Sequence, residues 1–288
     1  MSTEETLPKR RSYYRDLFPP QATSQQPESS PSEGEFVGLV YTGDKTATLY
    51  GATLKCLFTT TPKLPPEPNS MKEALEGPFA DEWKAAMDVE MAALIGRGTW
   101  QLEELPKGQR LVGVKWIFKI KTQADGSLDK FKARLVARGF SQIEGKDFFK
   151  TFAPVTDYTT ARIFLAITAV NKLALVQLDV KNAFLYGAMD ADVYMKQPDG
   201  YTDGTYKVCK LIKSLYGLKQ SPRMWYLKLE EALNKQLFSK STSDEALFIK
   251  KEGGAVYCLV YVDDILMASG NRQLLNQEVT TLQKTLNF

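Results

Sequence analysis

The chain has 288 residues, 43% of them hydrophobic and 11% aromatic, enough for one large or two modest packed domains. Its formal net charge is only +3 and it has no histidine, so any basic surface must come from local clustering. His-containing zinc sites and Ser–His or Cys–His nucleophile pairs are excluded.

Residues 1–70 hold nine of the 14 prolines, set among Ser, Thr, Gln and Glu ("FPPQATSQQPESSPSEGE", "TPKLPPEPNS"). Such a composition buries too little apolar surface to offset the entropy of ordering. It reads as a mostly disordered linker, with one short strand at "FVGLVYT". Globular patterning begins near Met71 and runs to residue 288. In "GPFADEWKAAMDVEMAALIGRGTW", Trp83, Met87, Met91 and Leu94 recur at helical spacing, and Gly96 and Gly98 end the helix. A hairpin follows, "LVGVKWIFKIKT", the turn "QADGS" and "LDKFKARLVARGF". "TTARIFLAITAVNK" predicts a helix leading into the strand "LALVQLDV". "SPRMWYLKLEEALNKQL" predicts another, with Ser221 as its cap, Pro222 at its first position and Trp225, Leu229 and Leu233 as its buried stripe. The last hairpin, "YCLVYV" and "ILMAS", precedes a helix in "NRQLLNQEVTTLQKTL". This alternation matches an α+β fold with a split βαβ unit.

Three cysteines, Cys56, Cys209 and Cys258, lie far apart without metal-ligand spacing, which suits a reducing compartment. The longest apolar run, the eight residues Ala255 to Val262, is too short for a membrane span, and "MSTEETLPKRRSYY" has no apolar signal core. The expectation is an intracellular protein, not secreted and with no membrane partner.

Two neighbouring carboxylates, Asp263 and Asp264, interrupt the last hairpin. Alone they also fit an ordinary turn. A third, Asp179, ends the apolar strand "LVQLDV", where an unpaired carboxylate costs several kcal/mol if buried (about 3–5 by analogy with broken buried pairs). If that strand lies beside the hairpin, Asp179 and Asp263 meet at one edge of the sheet. Clustered oxygen ligands suit Mg²⁺, and two such ions about 4 Å apart clamp an in-line phosphoryl displacement. The first hairpin carries a second signal. Lys115, Lys119 and Lys121 share one face of its first strand, and Lys130, Lys132, Arg134 and Arg138 one face of the second. Against Asp125 and Asp129 these seven give +5 over 24 residues. The face is either an ordinary solvated one or a phosphate-binding ribbon.

"QLDVKNAFLYG", "VYMKQPDGY", "KLIKSLYGLKQSPRMWY" and "YVDDIL" resemble, in order and spacing, the reverse transcriptase of copia-type retrotransposon polyproteins; "KWIFKIK", "KARLVARGFSQ" and "TFAPVT" resemble its fingers region. The resemblance covers residues 79 to 288. It implies an RNA-directed DNA polymerase with a right-hand fold, a ferredoxin-like palm at 161–288 and fingers at 71–160, with the thumb missing. Asp179, Asp263 and Asp264 match the catalytic, metal-binding triad, and Val180 the backbone ligand, for two Mg²⁺ ions, with Mn²⁺ as a substitute. Lys132 and Arg134 match residues that hold the incoming dNTP, and Phe184 an aromatic ring beneath its sugar. Gly217 would let backbone approach the nucleotide or a template base. Lys219, Gln220 and Arg223 could contact strand or phosphate; the role of Tyr216 is left open. Implied partners are RNA and DNA primer-template and dNTPs, and the implied location is a cytoplasmic virus-like particle or the nucleus. The alternative is a catalytically inactive, truncated product that at most binds nucleic acid.

Overall fold

The computed structural model describes the backbone of three short strands within the first 60 residues and residues 64–286 in full. The chain divides into two compact units, one ending at Thr60 and one beginning at Thr61. In the first, β1 (Val40–Tyr41), β2 (Thr46–Leu49) and β3 (Ala52–Lys55) form an antiparallel sheet in that order. The strand expected at "FVGLVYT" is β1. Cys56 and most of the expected linker lie outside the described residues.

The second unit starts ahead of position 71. Pro68 is buried, and Glu67 pairs with Lys119 and accepts the Ile120 N–H at 2.9 Å. Helix α1 (Met71–Glu76) is capped by Ser70, whose side chain accepts the Glu73 N–H at 3.2 Å. The stripe expected in α2 (Ala80–Gly96) is present: Trp83, Met87, Met91 and Leu94 are all buried. Glu90 is buried with them. After α2, Gly98 takes φ +60 and turns the chain.

Short strands β4 (Trp100–Glu103) and β5 (Leu111–Val112) precede the long ribbon of β6 (Val114–Thr122) and β7 (Leu128–Ala137). The ribbon has one apolar face, where Trp116, Phe118, Ala133 and Leu135 pack with the α2 stripe. Helix α3 (Tyr158–Val170) is capped by Asp157, which accepts the Thr159 N–H at 2.7 Å, and leads to β8 (Ala174–Asp179). Strands β9 (Tyr194–Met195) and β10 (Val208–Leu211) close a four-stranded sheet in the order β4-β10-β9-β5.

Helix α4 (Ser221–Lys235) buries Trp225, Leu229 and Leu233 as expected, but Ser221 does not cap it. Its hydroxyl donates instead to the Leu215 carbonyl at 2.6 Å, so the helix starts with no side-chain cap. Strands β11 (Ser239–Lys240), β12 (Leu247–Lys250), β13 (Val256–Tyr261) and β14 (Asp264–Ser269) follow, then α5 (Arg272–Leu286). With β8 these strands form a sheet ordered β11-β12-β13-β14-β8, antiparallel throughout. Side chains alternate across it. Leu178, Val260, Ile265 and Met267 join the core built with α4 and α5, whereas Leu259 and Ala268 pack on Phe164 of α3. On that second face the β8 positions Leu175, Gln177 and Asp179 remain exposed.

Candidate active site

Two register pairs set the position of the acidic residues. Tyr261 pairs with Asp264 across the last hairpin, leaving Val262 and Asp263 as a two-residue turn, and Asp264 pairs with Asp179 on β8. Directly opposed residues point to the same face of a sheet, so these two carboxylates share the open face. Asp263 meets β8 differently, through its carbonyl, which accepts the Val180 N–H at 3.0 Å. The segments bearing Asp179 and Asp263 thus meet at the edge of the sheet, as expected, but of the two adjacent aspartates expected at the tip of the hairpin only Asp263 lies on the turn, and Asp264 begins β14. The Val180 side chain is buried at 1% exposure.

Val262 holds φ +56, the left-handed region that a β-branched residue rarely enters. A positive φ at the first residue of a two-residue hairpin is the usual place of glycine. Trp225 of α4 donates its indole N–H to the Val262 carbonyl at 2.6 Å, fixing the turn from below. Asp264 accepts from the Gln177 amide at 3.1 Å. Asp179, Asp263 and Asp264 are oxygen donors of the kind that hard divalent cations take. Among the described residues, however, no three Asp, Glu or Cys side chains converge closely enough to hold an ion as they stand.

The basic face of the ribbon is as expected for six of its seven cations. Lys119 faces Lys132 and Lys121 faces Lys130 in register, with Arg134 next on the same face. Arg138 falls outside it: β7 ends at Ala137, and the Arg138 stem packs beside Gly113. Like charges directly opposed are unfavourable unless compensated. Glu67 compensates Lys119, and Asp129 lies 3.7 Å from Lys130. Lys132 and Arg134 form no ion pair among the described residues, and the buried Arg134 Nε has no hydrogen-bond partner. Burial, with Arg134 and Lys121 nearby, holds the Lys132 ammonium below the usual lysine range. Behind them sits Glu90, which accepts the Leu135 N–H at 3.3 Å. Burial raises its carboxyl above the usual range, against that hydrogen bond and the charges of Arg134 and Lys132.

Phe184 lies on a short 3-10 turn, Ala183–Tyr186, just after β8, and is half-buried. Its ring stands 4.9 Å from that of Tyr216, and the Arg134 guanidinium lies 5.2 Å from the other end of this chain of contacts, the Tyr216 ring centre. The loop 214–218 is pinned at two points: Ser214 donates to the Phe184 carbonyl, and the Tyr216 carbonyl accepts the Ala137 N–H at 2.8 Å. Gly217, at φ +89, has the Ala137 carbonyl where a side chain would stand, and Gly139 in turn faces the Gly217 carbonyl. The ribbon's own backbone thus occupies the direction a side chain would take, while Gly217 itself stays exposed. Gln220 is not a strand contact. It is fully buried, bonded to Gln142 at 3.0 Å and to the Asp147 carbonyl at 2.7 Å. Arg223 donates to the Phe152 carbonyl at 3.2 Å, and the Lys219 ammonium lies 4.7 Å over Phe148.

Residues 97–288 match the family model described as reverse transcriptase (RNA-dependent DNA polymerase). The chain belongs to this family. It is 42% identical over 226 residues to the retrovirus-related Pol polyprotein from transposon TNT 1-94 of Nicotiana tabacum, covering 77% of this chain and 17% of that polyprotein. Against the Pol polyprotein from transposon RE1 of Arabidopsis thaliana the identity is 44% over 222 residues, 76% of this chain and 15% of the relative. A yeast relative, the truncated transposon Ty1-A Gag-Pol polyprotein, is 29% identical over 215 residues, 71% of this chain and 17% of its own length. The chain therefore spans less than a fifth of these polyproteins, and within them it corresponds to the reverse transcriptase region. No described helix is long and apolar enough to cross a membrane.

Proposed function

We propose that this chain carries the nucleotidyl-transfer centre of an RNA-directed DNA polymerase, with a palm built on the five-stranded sheet and fingers built on the ribbon. The observation that carries the reading is the register of Asp264 with Asp179 on the open face of β14 and β8, beside the strained turn bearing Asp263. Divalent ions, two Mg²⁺ or Mn²⁺ in their place, would be held by Asp179, Asp263, Asp264 and the Val180 carbonyl and would neutralise charge on the attacking and leaving oxygens. Gln177 engages only one oxygen of Asp264, and the other remains available to a cation. Lys132 and Arg134, left without ion pairs, receive the triphosphate of the incoming dNTP; the planar fork of Arg134 suits paired phosphate oxygens. Phe184 lies beneath the sugar and excludes a 2′-hydroxyl. Gly217 acts by seating the ribbon against loop 214–218. The remaining ribbon lysines contact the phosphates of an RNA or DNA template and its primer.

A second reading, a chain that binds nucleic acid without catalysis, is favoured by one observation, the lack of three converging carboxylates among the described residues. Single-nucleotide addition separates the two. Primed RNA and DNA templates are offered with dNTP and Mg²⁺, with Asp263→Asn as the control. The polymerase reading expects template-directed addition by the wild type and nearly none by the variant. Salt-sensitive binding of both proteins with no addition by either would leave only the second reading.

A further inference from the structure

Strand β6 pairs only with β7, so its other edge is open among the described residues. The chain just before α1, residues 64–70, meets that edge through one side chain. Pro66 and Pro68 flank Glu67 and have no N–H with which to add a strand there. The Glu67 carboxylate instead takes two donors of the ribbon: one oxygen accepts the Ile120 N–H at 2.9 Å and the other the Lys119 ammonium. The hydrogen bonds from Lys119 and Ile120, with the charge of Lys121 nearby, hold its carboxyl below the usual glutamate range. A backbone N–H and an ammonium offered to two oxygens of one anion are also what a nucleic-acid phosphate takes from a protein. Lys119 stands among cations, with Lys132 facing it and Lys121 facing Lys130 in register. The main chain after Glu67 is fixed, because Pro68 is buried, Ser70 caps α1 and the Asn69 N–H donates to Glu73 at 2.9 Å. The Glu67 and Lys119 side chains both stay partly exposed, and an ion pair open to solvent yields readily to a competing charge. Rotation of one side chain clears the site while the backbone stays in place.

We propose that the Ile120 N–H and the Lys119 ammonium form a binding site for one backbone phosphate of a nucleic-acid duplex, and that Glu67 fills it as a phosphate stand-in until the duplex displaces it. The inference rests on the proposed contact between the ribbon and a template with its primer. A free anion must compete with a carboxylate tethered at high effective concentration. A duplex already held by Lys115, Lys121 and Lys130 presents its own phosphate at a comparable concentration and wins the site. Glu67 thus favours a polyanion over single anions and weakens duplex binding below what the bare ribbon would give.

The test is binding of a fluorescent DNA primer-template to the 288-residue chain, read by anisotropy over a series of salt concentrations. Glu67→Gln keeps an acceptor for the Ile120 N–H and removes the charge that competes for Lys119. It is expected to tighten binding about threefold or more at low salt, a gain that fades as salt rises. In a Lys119→Ala background the same change should do almost nothing. Lys119→Ala in the Glu67→Gln chain should lower the slope of log affinity against log salt by roughly 0.9, the share of one phosphate. A gain of equal size with and without Lys119 overturns the site, because loss of any negative charge near the duplex would then suffice. Binding unchanged or weakened by Glu67→Gln overturns it too and leaves Glu67 as a clasp on β6. If every chain, wild type included, fails to bind, the ribbon's contact with nucleic acid falls and the site falls with it. Glu67→Ala, which drops the acceptor as well, should show the same gain, and thermal unfolding midpoints check that each chain is folded.

Discussion

At Val262 the chain keeps a β-branched residue at φ +56, a conformation that costs about 1–3 kcal/mol. The strain is retained because Trp225 holds the carbonyl of that residue and α4 is anchored by the buried stripe of Trp225, Leu229 and Leu233. Trp225→Phe removes the indole donor and some packing, so stability should fall by about 2 kcal/mol in denaturant titration. An unchanged midpoint would mean that the turn holds itself. Glu90 tests electrostatics at the same scale. Its carboxyl is raised by burial, so folding favours the protonated form. That contribution is fully present below the ordinary glutamate pKa and is lost as pH rises through the raised value. Gln at this position still offers an acceptor to Leu135. Glu90→Gln should therefore gain stability relative to wild type as pH climbs from acid to neutral, read from denaturation midpoints at a series of pH values. A variant that instead loses ground toward neutral pH would show that Arg134 and Lys132 more than offset the burial of Glu90.

The elements were legible in the sequence wherever burial alone decides them. The α2 stripe, the ribbon and its basic face, β8 and the stripe of α4 all follow from periodicity, because each has one face against a core. The register of β14 was less legible. A Val–Asp turn carries none of the Asn-Gly or Gly-X signals that announce a two-residue hairpin, so the sequence does not show that Asp264 leaves the turn and pairs in register with Asp179. Gln220 departs from its expectation for a related reason: a polar side chain that ties two segments together inside the fold looks, in one dimension, like one that reaches for a ligand. Gly217→Ala tests the seating of loop 214–218 against the ribbon directly. At φ +89, with the Ala137 carbonyl in the way, it should destabilise the protein by at least about 2 kcal/mol in thermal or chemical unfolding. A variant as stable as wild type would show that the close approach to the Ala137 carbonyl is not required.

Across the whole chain the net charge is +3, yet the ribbon hairpin alone carries +5. Association with nucleic acid should accordingly be local to the ribbon and strongly salt-dependent. Each of Lys115→Ala and Lys121→Ala should reduce the slope of log affinity against log salt by roughly 0.9 if its side chain neutralises one duplex phosphate. Equal slopes in wild type and both variants would place the contact elsewhere. The surroundings of Tyr216 and Glu90 could not be read from the sequence because they depend on what stands across from them. Tyr216 sits between Arg134 and Phe184, 82 residues after the first and 32 after the second by the chain numbering, and no local pattern marks such a meeting.

The central claim is that Asp179, Asp263 and Asp264 act as one metal-holding group once substrate is present. The direct measurement is Mn²⁺ binding by paramagnetic resonance, with a dideoxy-terminated primer on an RNA template and the next dNTP bound. The account expects two tightly held ions in the wild type and at most one in Asp179→Asn or Asp264→Asn, with folding intact because each change relieves carboxylate repulsion on the shared face. Equal numbers of bound ions in wild type and both variants would contradict it.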